Sequence, residues 1–498
     1  MVEGLAKALV TLSEKRIVGA LSVIMQAAGL ILALPIPIAL IYGEYQYIWC
    51  FGILALATFA AGHFVYKLVS FPPGLTVLEA MVISALGWLL MSAVGAIPYV
   101  LIINMSYLDA YFEAMSGFTT TGMTLIKVIE GTPYCLLFWR ALTQWVGGAG
   151  IIMLTTLLLM GREGVIAWKL YVAEAREERI AASAKKTIKN LWEIYVFYTA
   201  LCAALLMIAG MNWFDAITHS FTALATGGFS TRTLSIEAYH SPLIEGILVV
   251  FMFLGGTRFP LHYLLLKGMI RRVLHDYEFK AYLLFVTVAT ALITINLWSA
   301  GMFSFAESFR YSIFQVVSIL TTTGYTSFDI NKWPLFSQVT LLMLMIIGGC
   351  ANSTGGAVKV GRIAILAKLV YREILKITLP FGAVKPLKAG DRIVGSDELA
   401  RLAGFFTLYM ILIAIEYLIV AIFTADGYGA LSAVLSAQGN VGPCYISLFD
   451  LHPVPKAVLI FGMWVGRLEL MPIAVLFLPQ TWKRLREKRR EEETTVSY

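Results

Sequence analysis

Charge is scarce in this chain. Only 14% of its 498 residues are charged and 59% are hydrophobic, with a mean hydropathy of +0.78. A soluble domain carries about 25% charged residues, so a soluble globular protein is excluded and a polytopic membrane protein is expected. Cysteine is scarce too. The five (Cys50, Cys135, Cys202, Cys350 and Cys444) are odd in number, scattered and mostly within apolar segments, which suits neither a disulfide framework nor a metal site. The six histidines are equally scattered. With no cluster of His, Cys or carboxylates, nothing supports a membrane enzyme, and no bound cofactor is expected. No small-residue cleavage site follows the first apolar run, which therefore reads as a retained helix and not a signal peptide.

Long apolar runs fill the chain instead. A spanning helix needs about 20 such residues. Candidates run over 17–42, 47–67, 75–103, 134–160, 191–211, 242–270, 281–300, 335–370, 400–424 and 455–482, several of them long enough to be tilted or broken. Shorter segments that enter and return lie between them, at 108–119, 214–225, 304–320 and 427–438. Asp109, Asp215 and Asp426 stand near the starts of three of these, where an acid suits a helix N-terminus.

The net charge of +7 raises nucleic acid as a partner, but the placement of the basic residues answers it. Assigning 1–16, Lys67, 162–190, 267–280, 359–401 and 483–490 to the cytoplasm accounts for all but eight of the 38 Lys and Arg. The eight are Lys127, Arg232, Arg310, Lys332 and Lys456 outside, and Arg140, Arg258 and Arg467 within spans. This orientation puts both termini in the cytoplasm and the chain in the cytoplasmic membrane. The cytoplasmic stretch with Glu174, Arg176, Glu177, Glu178 and Arg179 is either a docking surface or a solvated connector, and the basic run 483–490 suits anionic lipid headgroups. Outside lie Asp109, Glu113, Asp215, Glu237, Glu307, Asp329, Asp426 and Asp450, which form either a cation-concentrating vestibule or loops merely depleted of Lys and Arg.

The most informative stretch is Thr321-Thr322-Thr323-Gly324-Tyr325, which has the T-x-G-Y order of a potassium filter. Such filters are loops whose carbonyls replace an ion's hydration shell. Alone the match is weak, but related stretches recur at Thr119-Thr120-Thr121-Gly122-Met123, Ala225-Thr226-Gly227-Gly228-Phe229 and Gly439-Asn440-Val441-Gly442-Pro443. Each follows a short re-entrant segment and precedes a long apolar one, so one chain supplies four quarters of a filter. The expected architecture is all-α, with four pseudo-symmetric repeats of span, pore half-helix, filter loop and span after two extra N-terminal spans. The expected divisions are a hairpin at 1–70, repeats at 71–165, 166–275 and 276–395, and a fourth repeat with a basic tail at 396–498.

These motifs, with Gln144-Trp145-Val146-Gly147-Gly148-Ala149-Gly150, Gly348-Gly349-Cys350-Ala351-Asn352-Ser353-Thr354-Gly355-Gly356 and Gly466-Arg467-Leu468-Glu469, resemble the Trk/Ktr/HKT superfamily of potassium transporters over nearly the whole chain. The two extra N-terminal spans make it most similar to the prokaryotic Trk membrane subunit. The resemblance implies potassium conduction on a pseudo-fourfold axis, a homodimer of pores and a cytosolic nucleotide-binding regulatory subunit. On this reading the ion is held by Thr120, Thr121 and Gly122; by Ala225, Thr226 and Gly227; by Thr322, Thr323 and Gly324; and by Asn440, Val441 and Gly442. Glycine at 122, 227, 324 and 442 favours potassium over sodium. Two departures are Ala357, where the family commonly continues with Gly, and Arg258, which matches no family feature.

Gating residues are also expected. Gly349, Ser353, Thr354, Gly355 and Gly356 interrupt an apolar span, where helical Gly costs about 1 kcal/mol relative to Ala. Irregular backbone at membrane depth needs buried protein or a water-filled cavity around it, so the run reads as a flap beneath the filter or as a close helix crossing through small residues. Arg467, midway along the last span, is either a charge below the filter or the ion-pair partner of Glu416 or Glu469. The functional expectation is a channel-like potassium-uptake pore. The alternative is a potassium symporter coupled to protons or sodium.

Overall fold

A computed structural model describes residues 12–69, 75–150, 184–378, 380, 385–390 and 392–485. Four short helices, Tyr107–Phe118, Trp213–Leu224, Phe305–Leu320 and Gly427–Gly439, occupy the four re-entrant segments. Each begins on a side chain that accepts a backbone N–H, as helix starts require. Ser106 accepts from Asp109 at 3.2 Å, Asn212 from Asp215 at 2.9 Å, Ser304 from Glu307 at 3.3 Å and Asp426 from Gly429 at 2.9 Å. Asp109 and Asp215 thus sit in first turns, and Asp426 is itself the cap.

Each pore helix is preceded by a long helix (Val77–Ile103, Ala184–Ile208, Tyr277–Ser299 or Ser396–Ile422) and followed by an apolar one (Tyr134–Ala149, Pro242–Gly255, Leu335–Ile347 or Pro453–Arg467). Among the described residues six helices are long and apolar enough to cross a membrane, or eight if each bent pair counts as one span. Ten were expected, and the two others have specific explanations. The helix from Tyr134 runs to Ala149, and residues 151–160 of the expected span lie outside the described residues. The 335–370 run is divided into Leu335–Ile347 and Val360–Thr378 by the Gly-rich stretch.

Two further apolar runs are broken. Pro242–Gly255 turns into Phe259–Leu266 through 107°, and Pro453–Arg467 into Met471–Phe477 through 119°. Pro260 and Pro472 follow the breaks, and a proline has no N–H to continue the ladder. Past the divided third span, a small antiparallel pair, Lys388–Ala389 with Arg392–Ile393, packs with Ile365, Val394 and Leu399. This pair departs from the expected all-α architecture. The connection at 162–183 and the tail from 486 onward lie outside the described residues.

Two carboxylates tie the N-terminal hairpin to the first repeat, Glu79 by pairing with Arg16 at 3.4 Å and Glu44 at a helix start. The helix at Tyr134 starts on Pro133, which caps nothing with its side chain. Glu44 supplies the acceptors instead, taking Tyr134 N at 2.7 Å and Cys135 N at 2.9 Å. Within the hairpin, Leu12–Leu32 and Tyr45–Val69 cross closely through glycine. A Cβ on Gly62 would stand 2.7 Å from Ser22 O, and one on Gly29 2.7 Å from Phe59 N. Gly62→Leu is expected to force these helices apart and lower stability by about 1–3 kcal/mol, the usual scale of overpacking; thermal unfolding of the detergent-solubilised protein checks it.

Candidate ion-conduction site

Each pore helix ends in the same backbone sequence. Thr120, Thr226, Thr322 and Asn440 have φ of +55°, +51°, +60° and +54°. Two residues later Gly122, Gly228, Gly324 and Gly442 have φ of +84°, +77°, +86° and +111°. A β-branched residue at positive φ is a genuine outlier, and such strain persists only where its surroundings over-determine it. Here the residue between is bonded back to the pore helix. Thr121 N donates to Ser116 O at 2.9 Å, Gly227 N to Thr222 O at 2.8 Å, Thr323 N to Ser318 O at 2.8 Å and Val441 N to Ser436 O at 2.8 Å.

This geometry corrects the register of the second repeat. Gly228, not Gly227, stands where Gly122, Gly324 and Gly442 stand, and the equivalent trio is Thr226, Gly227 and Gly228 in place of Ala225, Thr226 and Gly227. Gly227 is glycine for a different reason. A Cβ there would meet Gln144 Cδ at 2.4 Å, because the Gln144 amide fills that space. It donates to Gly227 O at 2.6 Å and accepts from Phe229 N at 2.9 Å. Two adjacent glycines left the register ambiguous in the sequence.

The four segments close into a ring. A Cβ on Gly122 would be 2.2 Å from Gly227 O, on Gly228 2.0 Å from Thr323 O, on Gly324 1.9 Å from Val441 O, and on Gly442 2.7 Å from Thr121 O. Each repeat's glycine therefore lies against the carbonyl of the next repeat, and the fourth returns to the first. Only glycine permits so close an approach.

The first and third quarters share one buttress, Ser116 Oγ donating to Met123 O at 2.6 Å as Ser318 Oγ does to Tyr325 O, and the other supports differ. In the first, Glu113 and Arg140 are 0% and 1% exposed and pair at 3.0 Å. Glu113 also accepts from Thr124 Oγ1 at 2.8 Å and Leu125 N at 2.9 Å, fixing the strand that leaves Gly122. Arg140 Nη1 reaches across to Ser230 O at 3.1 Å. In the third, Ser318 Oγ donates to Tyr325 O at 2.7 Å, while the Tyr325 hydroxyl bonds Thr222 Oγ1 and donates to His219 O at 3.2 Å. In the fourth, Ser436 Oγ accepts from Gly442 N at 2.9 Å. Among these, Gln144 appeared in the sequence only as part of a motif and the partner of Arg140 was unread, although an arginine inside an apolar run signals a buried acid.

Beneath the ring lies the Gly-rich stretch. It leaves the helix at Gly348 and returns as if the helix had never stopped, since Val358 N, Lys359 N and Val360 N donate to Ile346 O, Ile347 O and Gly349 O at 3.2, 2.8 and 2.9 Å. The excursion touches the ring's left-handed residues. Thr226 Oγ1 is 3.1 Å from Thr354 Oγ1, and Gly356 N donates to Thr322 Oγ1 at 2.8 Å. A Cβ on Gly356 would be 2.8 Å from Asn440 Oδ1. Arg467 completes the set by donating to Thr120 Oγ1 at 3.2 Å and to Thr354 O at 2.6 Å. Ser353 Oγ donates to Cys350 O at 2.6 Å and accepts from Gly355 N at 3.2 Å, shaping the turn, and Gly349 lies against Gly256.

The carboxylates expected beside Arg467 are engaged elsewhere or lack a hydrogen bond. Glu469 pairs with Arg362 and lies 3.9 Å from Lys359 Nζ. Neither oxygen of the buried Glu416 has a hydrogen-bond partner. Arg467 instead also donates to the carbonyls of Gly147 and Gly148, and its guanidinium lies 5.5 Å from the centre of the Trp88 ring. Lys359, counted from the sequence among the cytoplasmic basic residues, is instead 4% exposed and donates to Gly355 O in the loop.

Most outer acids are structural. Asp109 pairs with Lys456 at 2.6 Å, Asp215 with Arg232 at 3.0 Å, Asp329 with Lys332 at 3.4 Å and Asp450 with Lys127 at 3.4 Å. Glu307 and Asp426 serve helix starts and Glu113 is buried. Paired and capping carboxylates favour the depleted-loop reading over an acidic vestibule. Arg258 does not reach the ring; it pairs with Asp276 at 3.1 Å and Glu278 at 3.4 Å at the bend of the second repeat. The described cysteines are all free, and no group of three or more His, Cys, Asp or Glu suited to a metal occurs among the described residues.

Four re-entrant helices converging on one ring, within a bundle of apolar helices, define the class of polytopic ion-transport proteins. Residues 76–484 match the TrkH family, described as a cation transport protein, and the chain belongs to that family. It is 37% identical over 417 residues to the Trk system potassium uptake protein TrkH of Escherichia coli K12, covering 81% of this chain and 86% of that one. An uncharacterized cation transporter of Methanocaldococcus jannaschii is 34% identical over 484 residues, covering 95% and 98%. The crystal structure of the potassium transporter TrkH from Vibrio parahaemolyticus superposes with a TM-score of 0.82 at 31% identity, covering 95% of this chain and 99% of that one.

The Glu113–Arg140 pair yields a direct test. Arg140→Met strands a buried carboxylate and is expected to cost about 3–5 kcal/mol. Glu113→Gln combined with Arg140→Met is expected to recover part of that loss, read from thermal unfolding of single and double variants.

Proposed function

We propose that this chain is the potassium-uptake pore of a Trk-type system in the cytoplasmic membrane, with the ring as its selectivity filter and both termini in the cytoplasm. The observation that carries the reading is the closed ring of glycines and neighbouring carbonyls, contacted from below by one loop and one arginine. Carbonyls held by a rigid backbone exchange with a cation's hydration shell at little cost, and potassium, weakly hydrated, gives up its water more readily than sodium. The residues assigned to the ion are Thr120, Thr121 and Gly122, Thr226, Gly227 and Gly228, Thr322, Thr323 and Gly324, and Asn440, Val441 and Gly442.

The loop 348–359 and Arg467 form the gate in this reading. They contact the left-handed residue of all four quarters, so an ion leaving the ring inward meets them at once. A guanidinium in a water-poor passage raises the barrier to a cation. Relief of the block falls to a cytosolic nucleotide-binding subunit, and the assembly is a homodimer, as the Trk resemblance implies. Flux of potassium into liposomes, with and without such a subunit, tests uptake. A reversal potential that follows the potassium gradient alone marks a channel, and one that shifts with pH or sodium marks coupling.

Two outcomes follow for variants. Gly122→Ser places a side chain at positive φ against Gly227 O and is expected to lower the potassium-to-sodium permeability ratio; an unchanged ratio in a folded variant counts against the filter. Arg467→Ala is expected to raise potassium flux roughly tenfold, the effect of about 1.4 kcal/mol removed from a barrier. Arg467→Lys keeps the charge and is expected to retain most of the block. A destabilised Arg467→Ala protein without added flux leaves this arginine a structural role alone.

A further inference from the structure

Arg258 and the acids that face it belong to neither the ring nor the contacts directly beneath it. They lie where the helix Pro242–Gly255 breaks. In an unbroken helix the Phe259 N–H would donate four residues back, to Gly255 O. Here it donates to Asn352 O in the loop at 3.1 Å. The Gly255 carbonyl takes Thr354 N at 3.2 Å and the Thr354 hydroxyl at 2.9 Å instead. Gly256 O, to which Pro260 has no N–H to offer, takes Cys350 N at 2.9 Å. Bend and loop thus satisfy each other's backbone. The Phe259 N–H serves the loop or its own helix, and not both.

Glu278 closes this arrangement from the other side. It is 1% exposed, at the start of Tyr277–Ser299. Its Oε1 accepts from Ala351 N at 2.7 Å and Gly361 N at 3.0 Å, so one oxygen holds both ends of the loop. Its Oε2 lies 3.4 Å from Arg258 Nε, while Arg258 Nη1 bonds Asp276 Oδ2 at 3.1 Å. Gly361 leaves room for the carboxylate, since a Cβ there would be 2.6 Å from Oε1. Hydrogen bonds to an ionised acceptor are about twice as strong as neutral ones.

We propose that Glu278 is a positioning residue that latches the loop 348–359 beneath the ring, and that Arg258 ties this latch to the bend of the second repeat. Straightening that helix and withdrawing the loop then become one event. The segment beyond the bend, Phe259–Leu266, is the handle through which a force applied from the cytoplasmic side reaches the loop. This rests on the reading of the loop as a gate.

The test uses the full chain in potassium-loaded phosphatidylethanolamine–phosphatidylglycerol liposomes without any partner. Cys50, Cys135, Cys202 and Cys444 are replaced by Ala, so that the buried Cys350 reports loop release through its reaction with a membrane-permeant maleimide. Glu278→Gln is expected to raise basal potassium efflux and the Cys350 reaction rate about fivefold, the scale of one charge-assisted hydrogen bond lost. The potassium-to-sodium ratio is expected to stay unchanged. Arg258→Gln is expected to act in the same direction and less strongly. A Glu278→Gln protein with a lowered melting temperature but unchanged efflux and Cys350 reactivity overturns the latch. Should that variant not fold, Gly361→Ala, which crowds the carboxylate from its seat, takes its place with the same expected outcome. Deleting 350–355 separates the two levels of the argument. If the deletion raises efflux and Glu278→Gln does not, the latch is wrong and the gate stands. If the deletion leaves efflux unchanged, the gate reading falls and the latch with it.

Discussion

A backbone broken inside a bilayer must find partners for its freed N–H and C=O groups in other protein, because lipid offers none. That constraint explains where the irregular segments of this molecule lie. The break after Gly255 releases carbonyls that the loop of the third repeat takes up. The loop interrupts its own helix between Ile347 and Val360, yet the helix end is capped by the N–H groups of 358 and 359. Arg467, at the end of the last apolar helix before its own bend, donates to Thr354 O and to the carbonyls of Gly147 and Gly148 at the end of the first repeat's helix. The bend of the second repeat and the loop of the third therefore supply each other's backbone partners and have to lie together, with Arg467 joined to the loop through its side chain.

The ring above them obeys a steric rule. Four chain segments reach within a Cβ's width of one another's carbonyls only if each has glycine at the point of contact, and Gly122, Gly228, Gly324 and Gly442 are those points. The remaining chemistry varies from quarter to quarter: a buried ion pair in the first, the Gln144 amide in the second, Tyr325 in the third and Ser436 in the fourth. Identical geometry on unlike supports is what a single chain with diverged repeats permits and a homotetramer does not.

Much of this was legible before any coordinates. The pore helices fall within a few residues of their expected bounds, because a short apolar run after Ser106, Asn212, Ser304 or Asp426 carries both a cap and an end. The four-repeat architecture followed from the recurring Thr-Gly stretches, and the Gly-bracketed run at 348–356 signalled unwinding. What failed did so for physical reasons. Gly227-Gly228 offers two registers, and only the Gln144 amide packed on the first decides between them. Composition cannot distinguish a straight long span from one folded back by 107° or 119°. The ion-pair alternative for Arg467 failed on Glu469, because proximity in sequence said nothing of Arg362, on another helix, and Lys359, at the end of the loop before it, which lie against that acid.

Pseudo-symmetry holds at the ring and is lost beneath it, and the two levels have different demands. In the proposed role of the ring as a filter, a desolvated cation needs ligands on every side, so four unlike repeats must still present equivalent backbone from each. Blocking a passage needs one obstruction, and four symmetric ones would have to move in concert to clear it. Below the ring the second and fourth repeats bend, and the third is interrupted by a loop. That one loop reaches three of the four left-handed residues, and Arg467 reaches both the fourth and the loop itself. On the proposed reading of the loop and Arg467 as a gate, concentrating the obstruction in one loop and one charge would let it be withdrawn while the ring keeps its shape. The buttresses of the ring described above (Glu113–Arg140, Gln144, Tyr325 and Ser436) accordingly make none of their described bonds to the loop.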